Sequence, residues 1–287
     1  MNLRIFWFAP LFALAGCKDE AEQIPAYLRV EPFTVNAAGG AGWQKITDGW
    51  VYVNNELLGG FSLPATIPVL AEGESKVLIF PGVKENGLQS TPSVYPFMER
   101  YEVETVLTPA QTTTVQPATR YAGNVIFPWS VERAAFNSTS ILLEDRDSDT
   151  LSIFELTTNG AFEGRSVKLA VDTAHAENII ATEQLIDLPL TGAQPVWLEM
   201  HYKNDIPFEL WLLGSEGNAS ELSSAVYQFV PTENWNKIYL NLTQFLLALN
   251  QEKYRLLFRV NLPRDDKGNI TQNSGTVFLD NLRVVHF

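Results

Sequence analysis

The chain has 287 residues, and its 33 acidic side chains outnumber its 20 basic ones to give a formal net charge of −13. This negative balance argues against a nucleic-acid-binding function, because nucleic-acid phosphates attract basic surfaces. The single cysteine excludes an internal disulfide, so burial of the hydrophobic residues, which make up 46% of the chain, must stabilise the fold.

Residues 1–25 have the pattern of a targeting segment. A single basic residue, Arg4, precedes an apolar run over residues 5–16 that is too short to cross a bilayer as a helix. The run ends in the sequence LAGC, so small side chains precede the only cysteine. This pattern predicts a signal peptide over residues 1–16 that is cleaved before Cys17. The alternative is a buried N-terminal helix with a chance cysteine, which Pro10 disfavours.

These residues resemble the lipobox of bacterial lipoproteins, in which the cysteine becomes the acylated first residue of the mature chain. The resemblance implies lipid attachment at Cys17, because a thiolate is the nucleophile that acylation needs, and a short tether over residues 17–25. The following Lys18-Asp19-Glu20 resembles the export signal of surface-exposed Bacteroidota lipoproteins, although a solvated linker would have a similar composition. We therefore expect a lipid-anchored outer-membrane protein that is exposed at the cell surface.

Beyond the tether, short apolar runs and alternating patterns separated by Pro, Gly and Asn predict an all-β fold. We assign a first β-sandwich to residues 26–120 and a second to residues 125–287, with a boundary between Pro117 and Pro128. The predicted strands of the first sandwich are Tyr27–Val35, Trp50–Asn54, Lys76–Phe80, Tyr101–Leu107 and Thr112–Pro117.

Residues 50–82 contain a strand, an Asn-Asn turn, a stretch with Gly and Pro, and a Gly-Glu step before a second strand. This order resembles PEGA-like and related Ig-like surface modules, which implies an Ig-like β-sandwich. Turn chemistry alone is an alternative explanation, since Asn54 and Asn55 tolerate positive φ and Gly73 lies between apolar strands.

The second module has clearer strand patterns and one short helix candidate, residues 244–250. Its predicted strands are Ser166–Val171, Val196–Tyr202, Phe208–Leu213, Lys237–Leu242, Tyr254–Asn261 and Thr276–Val285. The blocks at residues 196–203, 235–242 and 277–285, the last reading VFLDNLRVV, resemble the galactose-binding-like jelly rolls found in many carbohydrate-binding modules. The resemblance implies a C-terminal jelly roll but no particular ligand, because one fold hosts many functions.

Catalytic motifs are absent from the sequence. The three histidines lack the paired spacing of a zinc site, and no G-x-S-x-G, H-E-x-x-H or phosphate-binding loop occurs. The acid pairs Asp145/Asp147 and Asp265/Asp266 are the remaining candidates for glycosidase chemistry, but their Asp- and Asn-rich turns explain them. We predict a protein that is not an enzyme.

Tryptophans of the second module are the candidate ligand-binding residues, because aromatic rings pack against the apolar faces of sugars. We single out Trp211, whose strand is apolar on both faces, and Trp235, which lies beside turn residues. Burial in the sandwich core is the alternative for each. On a neighbouring strand His201 alternates with Trp197 and Glu199, which predicts a surface histidine.

Two further sites depend on resemblance. In many carbohydrate-binding jelly rolls an Asp of the last strand helps to hold a structural calcium ion, which makes Asp280 a candidate ligand. Calcium takes six or more oxygen ligands, and a bulge or bend at Asp280-Asn281 is the alternative. Thr150 and Thr173 lie in Asp-Thr-apolar triplets that resemble the O-glycosylation acceptor of Bacteroidota. We expect no other cofactor.

Three functions remain open. The first is a non-catalytic binding or scaffold subunit whose partner is another protein of an outer-membrane assembly. The second is a surface lipoprotein that binds a glycan for nutrient capture or adhesion, which aromatic residues exposed in one groove would favour. The third is a glycoside-active enzyme, which requires two carboxylates about 5–10 Å apart in a cleft.

Overall fold

The computed structural model describes residues 22–37, 41–147, 149, 154–191, 194–217 and 219–287. Over these residues the chain forms two β-sandwiches, which confirms the predicted all-β class. No sheet in this part of the chain combines strands from both sandwiches, and each sandwich has its own core. The predicted module bounds at residues 120 and 125 stay predictions, because side chains from both sides of them pack at the junction of the sandwiches.

The first sandwich and its flanks contain β1 (Ala26–Val30), β2 (Thr34–Val35), a 3-10 helix (Ala41–Trp43), β3 (Asp48–Val53), β4 (Glu56–Ser62), β5 (Ala65–Val69), β6 (Gly73–Lys84), β7 (Pro92–Val94), β8 (Tyr101–Leu107), β9 (Thr112–Val115) and β10 (Ala118–Thr119). Strand β1 pairs antiparallel with β5 and parallel with β9. The facing sheet has the order β4-β3-β6-β7, and β8 pairs with β6. Small aliphatic side chains fill the space between the sheets, as period-2 alternation requires.

The turn between β3 and β4 confirms the predicted turn chemistry. Asn54 and Asn55 have φ values of 51° and 69°, and Val53 pairs with Glu56. A two-residue hairpin with positive φ at both positions matches the right-handed twist of its strands, which explains the Asn-Asn sequence. Kinship with PEGA-like modules stays a prediction.

The rest of the chain contains α1 (Val131–Ala134), β11 (Leu143–Asp145), β12 (Glu155–Thr157), β13 (Ser166–Asp172), β14 (Glu177–Thr182), β15 (Leu185–Ile186), β16 (Val196–Asn204), β17 (Phe208–Ser215), β18 (Leu222–Phe229), β19 (Thr232–Asn241), α2 (Thr243–Leu249), β20 (Lys253–Asn261) and β21 (Ser274–His286). Helix α2 confirms the helix predicted at residues 244–250, although it begins and ends one residue earlier. Among the described residues, no helix is long and apolar enough to span a membrane.

The second sandwich is built from two antiparallel sheets, as predicted for a jelly roll. The front sheet has the order β12-β13-β21-β16-β19, and the back sheet has the order β11-β14-β20-β17-β18, with β15 on β20. Between them lies a large core in which the rings of Phe208 and Phe229 stack at 4.1 Å. Each fully buried side chain of this size contributes about 1.5–3 kcal/mol to stability.

A bulge in β21 sets which side chains reach the outer face of the front sheet. Asn281 has a φ of 50°, and the register with β16 shifts between Glu199 and His201. The extra residue interrupts the alternation of side chains, so Asp280 and Arg283 both lie outside the sandwich core. The predicted bend at Asp280-Asn281 is therefore confirmed.

The first sandwich packs against one end of this outer face. The buried hydrophobic residues of the junction come from both modules and are Val83, Tyr95, Phe97, Met98, Trp197, Tyr239 and Val285. Backbone pairing supports the contact, since Asn86 N donates to Tyr239 O at 2.8 Å and Glu85 forms a parallel bridge with Tyr239.

Candidate functional site

The outer face of the front sheet changes from covered to open along a single strand. The even-numbered residues 196–202 of β16 lie in the sandwich core. Because strand side chains alternate, Trp197, Glu199, His201 and Lys203 point to the outer face. These four positions divide that face into a covered end, a middle and an open end.

At the covered end, aromatic rings from both sandwiches close the junction. The Tyr95 ring packs edge-on against Trp197 and Tyr239, with ring centroids 5.5 and 5.1 Å apart. Edge-to-face pairs of this kind add about 0.5–1.5 kcal/mol each beyond the area that they bury. Trp197 is therefore part of a structural contact and is not available to a ligand.

Glu199 lies beside this aromatic cluster with no exposed surface. Lys237 Nζ lies 3.1 Å from Glu199 Oε2, and Gln44 Nε2 donates to the same oxygen at 3.1 Å. The hydroxyl of Tyr121 donates to Oε1 at 2.6 Å, and the hydroxyl of Tyr95 donates to Oε1 as well. The carboxylate is thus surrounded by donors from both sandwiches.

Burial alone would raise the pKa of Glu199, but Lys237, Arg283 and the tyrosine hydroxyls hold it below its ordinary value. Burial raises the pKa of Tyr95 and Tyr121 well above the ordinary value, and the negative charge of Glu199 adds to the effect. The cluster therefore contains an ionised carboxylate and neutral tyrosines at neutral pH. With no exposure of the carboxylate, it is a structural network and not a reactive site.

In the middle of the face His201 is buried, so the predicted surface position is wrong. The Phe162 ring stacks on the His201 ring at a centroid distance of 4.0 Å. Burial, reinforced by the charge of Lys237, lowers the pKa of His201 to about 3. The histidine is therefore neutral at physiological pH.

Asp280 is the cross-strand partner of His201 and is fully buried. Its carboxyl group accepts from Ser166 Oγ at 2.6 Å, from Asn281 N at 2.7 Å and from Glu163 N at 3.4 Å, and burial raises its pKa to about 7. This set of donors fits a hydrogen-bonded carboxyl group better than a calcium ion, which needs oxygen ligands. Among the described residues, no group of three or more His, Cys, Asp or Glu side chains is placed to hold a metal ion. Calcium at Asp280 stays a prediction.

At the open end, Lys203 lies over two half-buried aromatic rings. Its Nζ is 5.4 Å from the centroid of Trp235 and 4.6 Å from that of Phe278, whose ring centroids are 6.2 Å apart. Lys203 Nζ and Trp235 Nε1 both donate to Gly160 O at 3.2 Å, which fixes the lysine and the indole relative to each other.

A cleft of about 550 Å³ opens beside these rings. It is lined by Lys203, Asn204, Asp205, Pro231, Thr232, Glu233, Thr276 and Phe278. Its volume lies within the range of about 300–1,000 Å³ that is typical of small-molecule sites, and its wall combines an aromatic ring with polar groups as such sites do.

The structure does not bring the two predicted tryptophans together. Trp235 flanks the cleft, whereas Trp211 lies on the outer face of the back sheet, where it packs against a small hydrophobic cluster that is separate from the core between the sheets. There Arg259 Cζ is 5.4 Å from the centroid of the Trp211 ring, and Trp211 Nε1 donates to Glu209 at 2.8 Å.

Of the predicted modification sites, Thr173 is exposed. Cys17 and Thr150 lie outside the described residues.

The chain matches no protein-family model and no curated protein. Its fold is similar to several solved structures. The enzymatically active domain of bacteriophage CBA120 tailspike protein 4 aligns with a TM-score of 0.39 and 14% identity over 61% of this chain, which spans only 25% of that protein. A structure described as a carbohydrate-binding module of promiscuous specificity from the β-sandwich superfamily aligns with a TM-score of 0.38 and 15% identity, over 83% of this chain and 84% of that one.

The family 11 carbohydrate-binding module of Clostridium thermocellum, in complex with a β-1,3-1,4-mixed-linked tetrasaccharide, aligns with a TM-score of 0.38 and 9% identity. That alignment covers 56% of this chain and 94% of the module. The module of promiscuous specificity is described as a β-sandwich, which is also the fold of this chain. At such scores these neighbours carry no argument about what this chain binds.

Two residues of the open end were missed in the sequence. Phe278 lies in the block that predicted the last strand, and Lys203 ends the block around Trp197. Alternation could have placed both on the outer face, since Leu279 and Tyr202 are core residues. The alternation within each strand does not reveal that Lys203 of β16 lies directly opposite Phe278 of β21.

Proposed function

We propose that this protein is a non-catalytic glycan-binding protein whose site is the cleft at the open end of the front sheet. The pair of rings formed by Trp235 and Phe278 beside that cleft carries the proposal. Aromatic faces pack against the apolar faces of sugar rings. The polar side chains of the cleft supply donors and acceptors for sugar hydroxyl groups.

Lys203 gives the site a fixed donor. An ammonium group has three N–H bonds, and one of them is used on Gly160 O. No carboxylate among the residues that the structure describes lies within ion-pair distance of Lys203. The remaining N–H bonds are therefore free to meet sugar oxygens above the rings.

The same geometry favours a glycan over a protein partner in an outer-membrane assembly. The apolar area at the covered end of the front sheet, which such a partner would need, is already occupied by the first sandwich. What stays accessible is a polar cleft with a half-buried aromatic wall. Membership of an assembly stays a prediction without a specific observation to favour it.

A binding function also fits the carboxylates of the cleft better than hydrolysis does. Asp205 and Glu233 line the cleft, and both are exposed. A glycosidase places its general acid in a buried, apolar setting, with a second carboxylate at a defined distance across the scissile bond. We therefore expect no release of reducing ends from any glycan that binds.

The experiment is a glycan array probed with the mature chain, followed by calorimetric titration of the best ligand. The array contains β-glucans, xylans, mannans, galactans and host-type oligosaccharides. Trp235→Ala and Phe278→Ala should each weaken binding about 30-fold or more, because truncation of an aromatic anchor typically costs about 2 kcal/mol or more.

Trp211→Ala is the matched control, since it removes a half-buried tryptophan from the opposite sheet. It should leave the affinity unchanged. A blank array, or equal affinity of Trp235→Ala and the parent chain, would overturn the glycan proposal.

We further propose that the chain is held on the outer membrane by acyl chains on Cys17. The support is the short apolar run that ends in small residues before this cysteine. A single acyl chain binds membranes only marginally, so stable anchoring needs at least two. Display at the cell surface, and glycosylation of Thr150 and Thr173, belong to the same proposal.

Cys17→Ser tests the anchor. A serine hydroxyl is a far weaker nucleophile than a thiolate, so the variant should lose acyl mass and leave the detergent phase on partitioning. Cys17→Ser with its acyl mass intact would refute the lipoprotein proposal and leave the glycan proposal standing.

A further inference from the structure

A second cavity, of about 210 Å³, lies at the junction of the two sandwiches. The first sandwich contributes Lys45, Lys84 and Gln89 to its wall, and β19 contributes Asn236 and Lys237. Its wall thus carries three lysines and no acidic residue, although the whole chain has a net charge of −13. The cavity is smaller than the range of about 300–1,000 Å³ typical of sites for drug-sized ligands.

Two of the three lysines have carboxylate partners that lie behind the wall. Lys84 Nζ is 2.7 Å from Asp48 Oδ1, and Lys237 Nζ is 3.1 Å from Glu199 Oε2. Both carboxylates are almost fully buried, and neither lines the cavity. They balance two positive charges and leave the third unbalanced.

The third lysine, Lys45, has no carboxylate partner within the described part of the chain. Its Nζ donates to Asn236 Oδ1 at 2.9 Å, which leaves two of its three N–H bonds unused. Lys84 Nζ donates to Asp48 and to Ser62 Oγ, which leaves one. The Gln89 amide makes no hydrogen bond to any described residue.

We propose that this cavity binds a small oxyanion, namely a sulfate, phosphate or carboxylate group, between the two sandwiches. The unused donors and the unbalanced charge of Lys45 match such a group, and lysine ammonium groups bind oxyanions as point charges. The site is separate from the cleft that holds Trp235. Because Lys45 and Asn236 belong to different sandwiches, a bound anion also links the modules.

The test is thermal unfolding of the mature chain with increasing sulfate, phosphate or glucuronate, against sodium chloride at equal ionic strength. A ligand that binds only the folded state raises the melting temperature in a saturable way. We expect saturation with at least one of the three anions. The most effective anion then identifies the bound group as a mineral oxyanion or a sugar carboxylate.

Lys45→Gln removes the unbalanced charge without breaking either buried ion pair, and Lys76→Gln is a control with the same change in net charge. Lys76 pairs with Glu102 on the exposed surface of the first sandwich. We expect Lys45→Gln to weaken anion binding, so that the anion concentration at half-saturation rises at least fivefold. Lys76→Gln and Trp235→Ala should leave that concentration unchanged. The proposal would be overturned if the oxyanions raised the melting temperature no more than sodium chloride does, or if Lys45→Gln and Lys76→Gln weakened anion binding equally. Neither result would affect the glycan site.

Discussion

The two ends of the front sheet use similar side chains for opposite purposes. At the covered end, Lys237 lies 5.4 Å from the ring centroid of Tyr239 and is paired with Glu199. At the open end, Lys203 lies over Trp235 at the same 5.4 Å without a carboxylate partner among the described residues. Burial beneath the first sandwich therefore determines the role of each lysine. A buried lysine must be paired with a carboxylate, whereas a solvent-accessible lysine keeps its N–H donors for a ligand.

The strongest way to break the covered end is Glu199→Ala. The substitution leaves Lys237 buried without its counter-charge and removes the acceptor of two tyrosine hydroxyls. Breaking a buried pair by removing one partner costs about 3–5 kcal/mol. Urea unfolding should therefore show a loss of this size in the free energy of unfolding.

The double substitution Glu199→Leu with Lys237→Met is the control for this prediction. Replacing both members of a buried pair with apolar groups is often close to neutral, so the double variant should recover part of the loss. A loss below about 1 kcal/mol in Glu199→Ala would show that the carboxylate is not desolvated.

The middle of the face should respond to pH in two opposite directions. Asp280 has a pKa of about 7 against an ordinary 3.8, so its stabilising contribution is complete below pH 3.8 and is lost as pH rises to 7. His201 has a pKa of about 3 against 6.5, so its contribution is complete above pH 6.5 and is lost as pH falls toward 3. The two contributions correspond to about 4 and about 5 kcal/mol over their windows.

Because the two windows overlap, the contributions should nearly cancel in the parent chain. Relative to the parent, Asp280→Asn should become more stable as pH rises from 4 to 6.5, and His201→Gln should become less stable. Urea unfolding at constant ionic strength measures both slopes. Slopes of the same sign in the two variants would contradict the assignment of opposite shifts.

Local sequence patterns predicted several of the strands, but they did not predict which residues on the outer face of the front sheet are buried. Alternation placed Trp197, Glu199 and His201 on one face of their strand, and the strand Tyr101–Leu107 has the predicted bounds. The cover comes from Tyr95, which is 104 residues before Glu199 and belongs to the other sandwich. His201 is covered by the ring of Phe162, which also lies far from it in the sequence. No local period encodes either contact, so the surface position predicted for His201 is wrong.

The strands that were missed have physical reasons of their own. Strand β18 (Leu222–Phe229) is a sheet edge, and exposed, half-buried, polar and apolar residues are mixed along it without strict alternation, so the pattern that predicts strands is weak there. Strand β14 (Glu177–Thr182) is buried on both faces, and such short continuous runs have no period of 2.

A milder change at the covered end sharpens the comparison by removing a single donor. Tyr121→Phe deletes the hydroxyl that donates to Glu199 at 2.6 Å and that accepts from Gln44 at 2.6 Å. Hydrogen bonds to charged groups contribute about 1.5–3 kcal/mol, so the free energy of unfolding should fall by about that amount. Tyr52→Phe, on a half-buried tyrosine of the first sandwich, is a control that should change little.

The smallest expected effect on stability belongs to Trp235→Ala at the open end. Its ring is half-buried and packs edge-on against Phe162 and Phe278, so we expect a loss of only about 1 kcal/mol, as for substitutions outside the core. Trp197→Ala is the matched change at the covered end and should cost about 3–5 kcal/mol. Urea unfolding of the two variants thus compares one residue type with and without cover. Equal losses would mean that Trp235 is a packing residue like Trp197, and the open end would then lose its claim to be a binding surface.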